Sequence, residues 1–344
     1  MAPLSWPQDQ HHVITLGTAG GPVWWGPASN EEERAGVSTA VVVGDRYYLV
    51  DAGAGAARRM AQAGLTKDRL AGFFMTHMHS DHTVDLPSVL FYSMPFELDA
   101  RKESGIPLIG PGNRGMLPPR RPASRDAKAL GGSVTTPGMV EMYAALETAY
   151  ATDLNDRVID ELCVSPSEVY RPRDIVIPEA AGFHSNDNPS PAVEPWLVFE
   201  DDRVRVSATL VHHAPIAPAF AFRFDTDQGS VVISGDTGEN QNLVKLATGA
   251  DLLLHEVIDH AWVNMIAEHF SVDGGEAARE HHFEAHTSVA GAARVAEAAG
   301  VSTLALHHLV PGNTPVARWR ELGAGFRGEL LVPSDLDRID FGRR

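Results

Sequence analysis

A chain of 344 residues that is 44% hydrophobic can form one large domain or two modest ones, and it is too apolar to be globally disordered. No apolar run approaches the roughly 20 residues of a membrane helix, and Met1–Asp9 lacks both a basic leader and an apolar segment, so a cytoplasmic protein without membrane contact is expected. The formal net charge is −17, which weighs against nucleic acid as a partner because phosphate neutralisation supplies most of the affinity there.

In chain order, residues 12–16, 39–43 and 46–50 are β-branched and aromatic runs between turn residues and predict strands. Ala54–Ala63 predicts a short helix closed by Gly64. The Gly17–Pro22 segment resembles a phosphate loop only superficially, because Pro22, Trp24 and Trp25 do not open a helix; it is read as a turn. A buried strand is expected over 71–75, and a helix from Thr83 to Ser93. Residues 95–195 differ in character. They carry turn clusters, one amphipathic helix (apolar at Met139, Met142, Leu146, Tyr150, Leu154, Val158 and Leu162) and a polar loop over 184–195, and are read as an insertion. Their basic stretch, Arg114 through Arg120, Arg121 and Arg125 to Lys128, is read as a solvated loop, with an anion-gripping lid as the sharper alternative. Alternation then resumes at Val204, Val206, Ala208 and Leu210, and at Phe220, Phe222 and Phe224, followed by strands over 229–234, 251–255 and 301–306 and a helix over 287–299. Strands first and alternating units later predict one α/β domain spanning 1–344, with mixed sheets clad by helices.

Between the strand at 71–75 and the helix that follows stands Thr76-His-Met-His-Ser-Asp-His82. Three imidazoles and a carboxylate at His77, His79, Asp81 and His82 are ligands that Zn²⁺ and related ions accept. Chance should produce such a pattern in about one chain in several hundred, so a metal site is the better reading. Further ligands are expected at later strand ends: the pair His212-His213, Asp236 in Ser234-Gly-Asp-Thr, and the pair His307-His308. Only one member of each pair can face the site, since neighbours on a strand point opposite ways. The lone cysteine, Cys163, excludes an internal disulfide, removes thiolate from the ligand list and fits a reducing compartment.

These motifs, with Leu49-Val-Asp-Ala-Gly53 before them, occur in the order typical of the metallo-β-lactamase superfamily, which the chain resembles over about 12–332. The resemblance implies an αββα four-layer sandwich with a binuclear site at the edge between its sheets. It implies that His77, His79 and His213 hold one divalent ion and that Asp81, His82 and His308 hold the other, with Asp236 bridging. Zn²⁺ is the first expectation for both, with Mn²⁺ or Fe²⁺ as alternatives. A bridging aspartate is typical of the phosphodiesterase, ribonuclease Z and arylsulfatase-like branches. In those branches the segments at His255-Glu256 and His286-Thr-Ser288 match motifs in which a histidine, here His286, protonates the leaving group and a glutamate, here Glu256, orients it. Asp81 is a further candidate, as acceptor of a proton from water, and Asp51 and Asp85 are candidates for holding ligands in place.

The expected function is a binuclear hydrolase cleaving a phosphoester or sulfate ester of a small molecule, with a lactone, thioester or amide as the alternative bond. Only 22 residues separate His213 from Asp236, too few for the long basic arm typical of ribonuclease Z. With the acidic charge, that disfavours a ribonuclease Z-like endonuclease. The partners expected are a small-molecule ester and, at most, a second copy of the chain as a homodimer. Trp24, Trp25 and His184 are candidates for substrate contact, with ordinary core or loop positions as the alternative.

Overall fold

The computed structural model describes residues 11–27, 33–92, 98–120, 128–269 and 272–342. Two sheets of seven strands each face one another. The first contains β1 (His11–Gly17), β2 (Ser38–Val43), β3 (Arg46–Val50), β4 (Leu70–Phe74), β5 (Ile106–Gly110), β6 (Tyr170–Asp174) and, at its far edge beside β1, β14 (Arg338–Asp340). The second contains β7 (Trp196–Glu200), β8 (Arg205–Leu210), β9 (Phe220–Asp225), β10 (Ser230–Ile233), β11 (Leu252–Ile258), β12 (Thr303–Val310) and β13 (Glu329–Leu331). Each sheet mixes antiparallel and parallel pairs.

Period-two side-chain alternation builds the layers. Along β1 to β3, Ile14, Leu16, Ala40, Val42, Tyr47 and Leu49 pack toward helices that include Ala56–Gln62 and Leu86–Phe91, whereas Val13, Val41, Val43, Tyr48 and Val50 pack toward the other sheet. Phe220, Phe222, Phe224, Val231, Leu252 and Leu254 meet them from β9 to β11. Val232, Leu253, Leu304 and Leu306 face the opposite way, against helices Gln241–Ala247 and Val289–Ala299. Three apolar layers separated by two sheets make the αββα sandwich, and both sheets are buried on both faces. That is why their central strands read as continuous apolar runs.

Three details differ from the sequence expectations. Residues 95–195 do not stand apart from the first sheet, because β5 pairs parallel with β4 and β6 with β5. Pro107 and the short length of β5 hid a strand whose Ile106, Leu108 and Ile109 are buried. The helix expected over 83–93 is broken into Ser80–Thr83 and Leu86–Phe91. Pro87 sits in the first turn of the second piece, where its missing N–H costs nothing. The amphipathic helix is likewise two helices, Met139–Ala149 and Ala151–Ile159, joined at Tyr150. Arg121 and Arg125 lie outside the described residues. Among the described residues no helix is long and apolar enough to cross a membrane.

Candidate metal centre

Strand ends deliver the site. After β4 the chain turns through Thr76–His79 into the single-turn helix Ser80–Thr83, which places His77, His79, Asp81 and His82 on one short arc. The arc is held from behind by Asp51 at the end of β3. Its carboxylate accepts from Thr76 N, from Thr76 Oγ1 and from His82 Nδ1, each at 2.8 Å. Asp51 adopts φ = 60°, a left-handed conformation that costs a non-glycine residue about 1 kcal/mol or more.

From the second sheet, His213 follows β8 and its Nδ1 donates to Ala285 O at 2.9 Å, which leaves Nε2 to face the arc. Asp236 follows β10 after Gly235, where φ is +58° and a Cβ would lie 2.5 Å from Phe220 O, so this turn requires glycine. On β12 the ladder with β11 pairs Glu256 with His307 and Val257 with Leu309, skipping His308. His308 is the bulged residue, at φ = 44°. The bulge settles the pair: His307 Nε2 lies 2.7 Å from Thr39 Oγ1 in the first sheet, while His308 turns into the site. Gly20 makes room for it, since a Cβ there would lie 2.2 Å from the imidazole. In the other pair, His212 Nδ1 lies 3.1 Å from Ser190 Oγ and points away.

The side chains form two groups. In the first, His77 Nε2 and His213 Nε2 each lie 3.1 Å from His79 Nδ1. In the second, His308 Nε2 is 3.2 Å from both Asp81 Oδ2 and Asp236 Oδ2, and His82 Nε2 is 3.4 Å from Asp236 Oδ1. Within each group every member offers an atom within 4.8 Å of the others. Asp236 belongs to the second group and also reaches the first, at 3.7 Å from His213 Nε2 and 4.0 Å from His77 Nε2. The structure thus brings together all seven residues that the sequence put forward as ligands.

Their protonation differs by group. Burial pushes His77 and His213 well below the usual imidazole range and His79 down to about 4, so the first group offers neutral lone pairs. Burial opposes charge on His82 too, but Asp236, Asp51 and Asp81 outweigh it and raise its pKa well above the usual value. His308 is raised in the same way against burial by Asp236 and Asp81. Burial works to raise Asp81 and Asp236, yet the neighbouring imidazoles hold both below the carboxylate range. Such an acid suits Asp81 to holding a cation better than to accepting a proton.

Buried carboxylates cost several kcal/mol each unless a cation answers them. Among the described residues the ion-pair partners of Asp81 and Asp236 are imidazoles, which give up their protons to a metal, and His82 Nε2 and Asp236 Oδ1 are buried without a hydrogen-bond partner. Nitrogen and oxygen donors without sulfur, two orphaned atoms among them, fit two divalent ions.

Beside the groups, Glu256 Oε1 accepts from Thr237 N at 3.0 Å, Thr287 N at 3.1 Å and His286 Nδ1 at 3.2 Å. This fixes the ring of His286 with its Nδ1 engaged, 3.9 Å from Asp236 Oδ2. Burial, with Asp236 pulling the other way, holds His286 down to about 4. His281 and His282, which carry no motif, sit next to it; the three offer ring nitrogens within 4.8 Å of one another. The contacts of Thr237, Thr287 and Ala285 to the site are made by backbone atoms, which no residue-type signal reveals.

Other candidates lie elsewhere. Asp85 accepts from Ala57 N at 2.8 Å and so braces helix Ala56–Gln62, not a ligand. His184 faces Asp187 in its loop. Arg114 is tied to Pro215 O, Ser185 O and Asn186 Oδ1, which commits much of its guanidinium to loop structure. It helps to wall a pocket of about 390 Å³ that opens at His79 among Met78, Pro137, Met142 and Ile216. A second cleft of about 160 Å³ opens on the other flank, at Asp81.

No family model matches the chain. Ribonuclease Z of Mycobacterium bovis BCG is 30% identical over 330 residues, covering 95% of this chain and 97% of that protein. Among solved structures, the short form of human tRNase Z superposes with a TM-score of 0.61 at 18% identity, over 96% of this chain and 100% of the other. The metallo-β-lactamase-fold protein YhfI of Bacillus subtilis gives 0.56 at 18% identity, over 96% and 99%. The ribonuclease Z relatives overturn the expectation of a small-molecule ester substrate and of no nucleic-acid partner. The reason for the error is physical. Net charge sums the whole surface, whereas affinity for a phosphodiester depends on the charge where it is held. Nor does the short His213–Asp236 interval mark a separate family, since the aligned span takes in almost all of the relative.

Proposed function

We propose a function from one premise: the chain belongs to the ribonuclease Z family of metallo-β-lactamase-fold hydrolases. It is an RNA endonuclease that hydrolyses a phosphodiester bond with two divalent ions, Zn²⁺ first among them. The observation that carries this reading is the sharing of Asp236 between a three-histidine group and a carboxylate-rich group, with His286 fixed on Glu256 beside both.

His77, His79 and His213 would hold one ion, and Asp81, His82 and His308 the other, with Asp236 within reach of both groups. When bound, such a pair supplies Lewis-acid polarisation of a phosphoryl oxygen and acidifies water near neutral pH. The remaining work falls to the chain. Asp81, whose Oδ2 already accepts from Gly21 N at 2.9 Å, orients the attacking water as a hydrogen-bond acceptor. Glu256 keeps Nδ1 of His286 protonated and turns Nε2 toward the leaving oxygen. His286 is neutral in the protein alone, and the negative charge of a phosphodiester beside the ring raises its pKa so that Nε2 carries the proton it hands to the departing ribose oxygen. Arg114 walls the apolar pocket. An RNA substrate and an unbridged cysteine fit a reducing, cytoplasmic setting.

The test is cleavage of a tRNA-bearing transcript by metal-loaded protein, with product ends mapped on a gel, run beside bis(p-nitrophenyl) phosphate. Site-defined cleavage that a chelator abolishes is the expected result. Turnover of the chromogenic diester with an untouched transcript rules the endonuclease out.

A further inference from the structure

Trp24 stands in the open at the edge of the metal centre. Its relative exposure is 83%, and Val23 and Val84 beside the same cleft are 54% and 58% exposed. The loop that carries it is fastened on both sides. Gly20 N donates to Leu309 O at 3.1 Å next to His308, and Gly21 N donates to Asp81 Oδ2 at 2.9 Å. The next residue, Trp25, is seated: its Nε1 donates to Gly20 O at 2.7 Å and its ring packs edge-on against Trp262 at 5.6 Å. Gly312 leaves the space for that ring, since a Cβ there would lie 2.5 Å from it. One tryptophan anchors the loop, and its neighbour points outward.

Trp24, Pro22 and Val84 line the 160 Å³ cleft together with Asp81, so the cleft is continuous with the second group of candidate ligands. Its one guanidinium, that of Arg34, is already committed to Thr18 Oγ1 and Pro333 O. What the cleft offers is an aromatic face and apolar edges, next to the place where a phosphodiester is held. We infer that Trp24 forms a nucleobase subsite: an unpaired base of the substrate, adjacent to the scissile phosphate, stacks on its indole. This rests on the RNA reading above. Stacking of this kind accepts any base, because every base has a π-face.

The experiment combines binding and cleavage. Tryptophan fluorescence is titrated with a single-stranded RNA hexamer in the presence of chelator, and with the same hexamer carrying abasic sites. The expected result is quenching by the intact hexamer alone, lost in Trp24→Ala. In cleavage of the transcript, Trp24→Ala should raise KM roughly 5- to 100-fold with kcat nearly unchanged, and Trp24→Leu should match it. Trp24→Phe should restore most of the affinity, which a merely structural role would not explain. Wild-type KM in Trp24→Ala, or equal quenching by the abasic hexamer, overturns the subsite. Base-dependent quenching by a protein that fails to cut RNA keeps the subsite and removes the endonuclease reading instead.

Discussion

The two ligand groups lie side by side, share Asp236, and are electrostatic opposites. The first is three imidazoles that burial drives neutral; it presents lone pairs with nothing to displace. The second sets two imidazoles among carboxylates that hold protons on them, so a cation entering there must first expel those protons. As proposed ligand groups, one is open to an ion as it stands and the other would exchange protons for it. Which side of the pair a residue serves should decide what its loss does.

The largest effect is expected where the two groups meet. Asp236→Ala should take metal content from two ions per chain toward none and lower turnover by roughly 10⁴-fold or more, beyond what loss of a general acid costs. Elemental analysis of the variant with one ion firmly retained would show that the groups are independent and that no bridge exists.

Next comes His286, which neither group needs. His286→Ala should keep both ions yet lose about 10²–10⁴ in turnover on RNA, and much less on a nitrophenyl diester whose leaving group departs unaided. Equal losses on the two substrates would remove it from proton transfer.

Asp51→Asn separates the groups by a smaller margin. Asp51 accepts from His82 directly and reaches the first group only through Thr76 Oγ1, 3.1 Å from His77 Nδ1, so the variant should weaken one ion by roughly 10- to 100-fold and the other by clearly less. A titration showing both ions weakened equally would mean that Asp51 supports the whole arc.

The smallest effect is the most direct reading of the contrast. Against burial, the neighbouring carboxylates raise His82 and His308, so these keep protons to higher pH than a free imidazole and an incoming ion would release them, whereas burial lowers all three imidazoles of the first group. Calorimetry in buffers of different ionisation enthalpy should therefore find about one or two protons released on filling the second group and close to none on filling the first. Raising the pH should tighten the second site and barely move the first; the opposite order breaks the comparison.

The sequence by itself determined a good deal of this protein. The arc at 76–82 is a strand, a turn and a helical start in succession, so four candidate ligands are brought together by local geometry alone. The alternation at 204–210 and 220–224 fixed which face of each strand is buried, since a period of two survives in any sheet. Order along the chain then tied the arc to the strand ends at 213, 236 and 308. Residues 95–195 were less legible, because five-residue strands such as β5 and β6 have too little pattern to stand out from the turns around them. The family resemblance named His213 and His308, but only the tertiary structure gives the physical reason for those members of the histidine pairs. The choice at 307–308 depends on a bulge against β11, and that at 212–213 on a partner at Ala285, 72 residues away. It also decided that Arg114 is tied up in a loop while Trp24 stands free, although both are conspicuous in the sequence. Those outcomes depend on contacts between distant segments, whose register and spacing no local pattern encodes, whereas periodicity and turn chemistry act over a few residues and can be read directly.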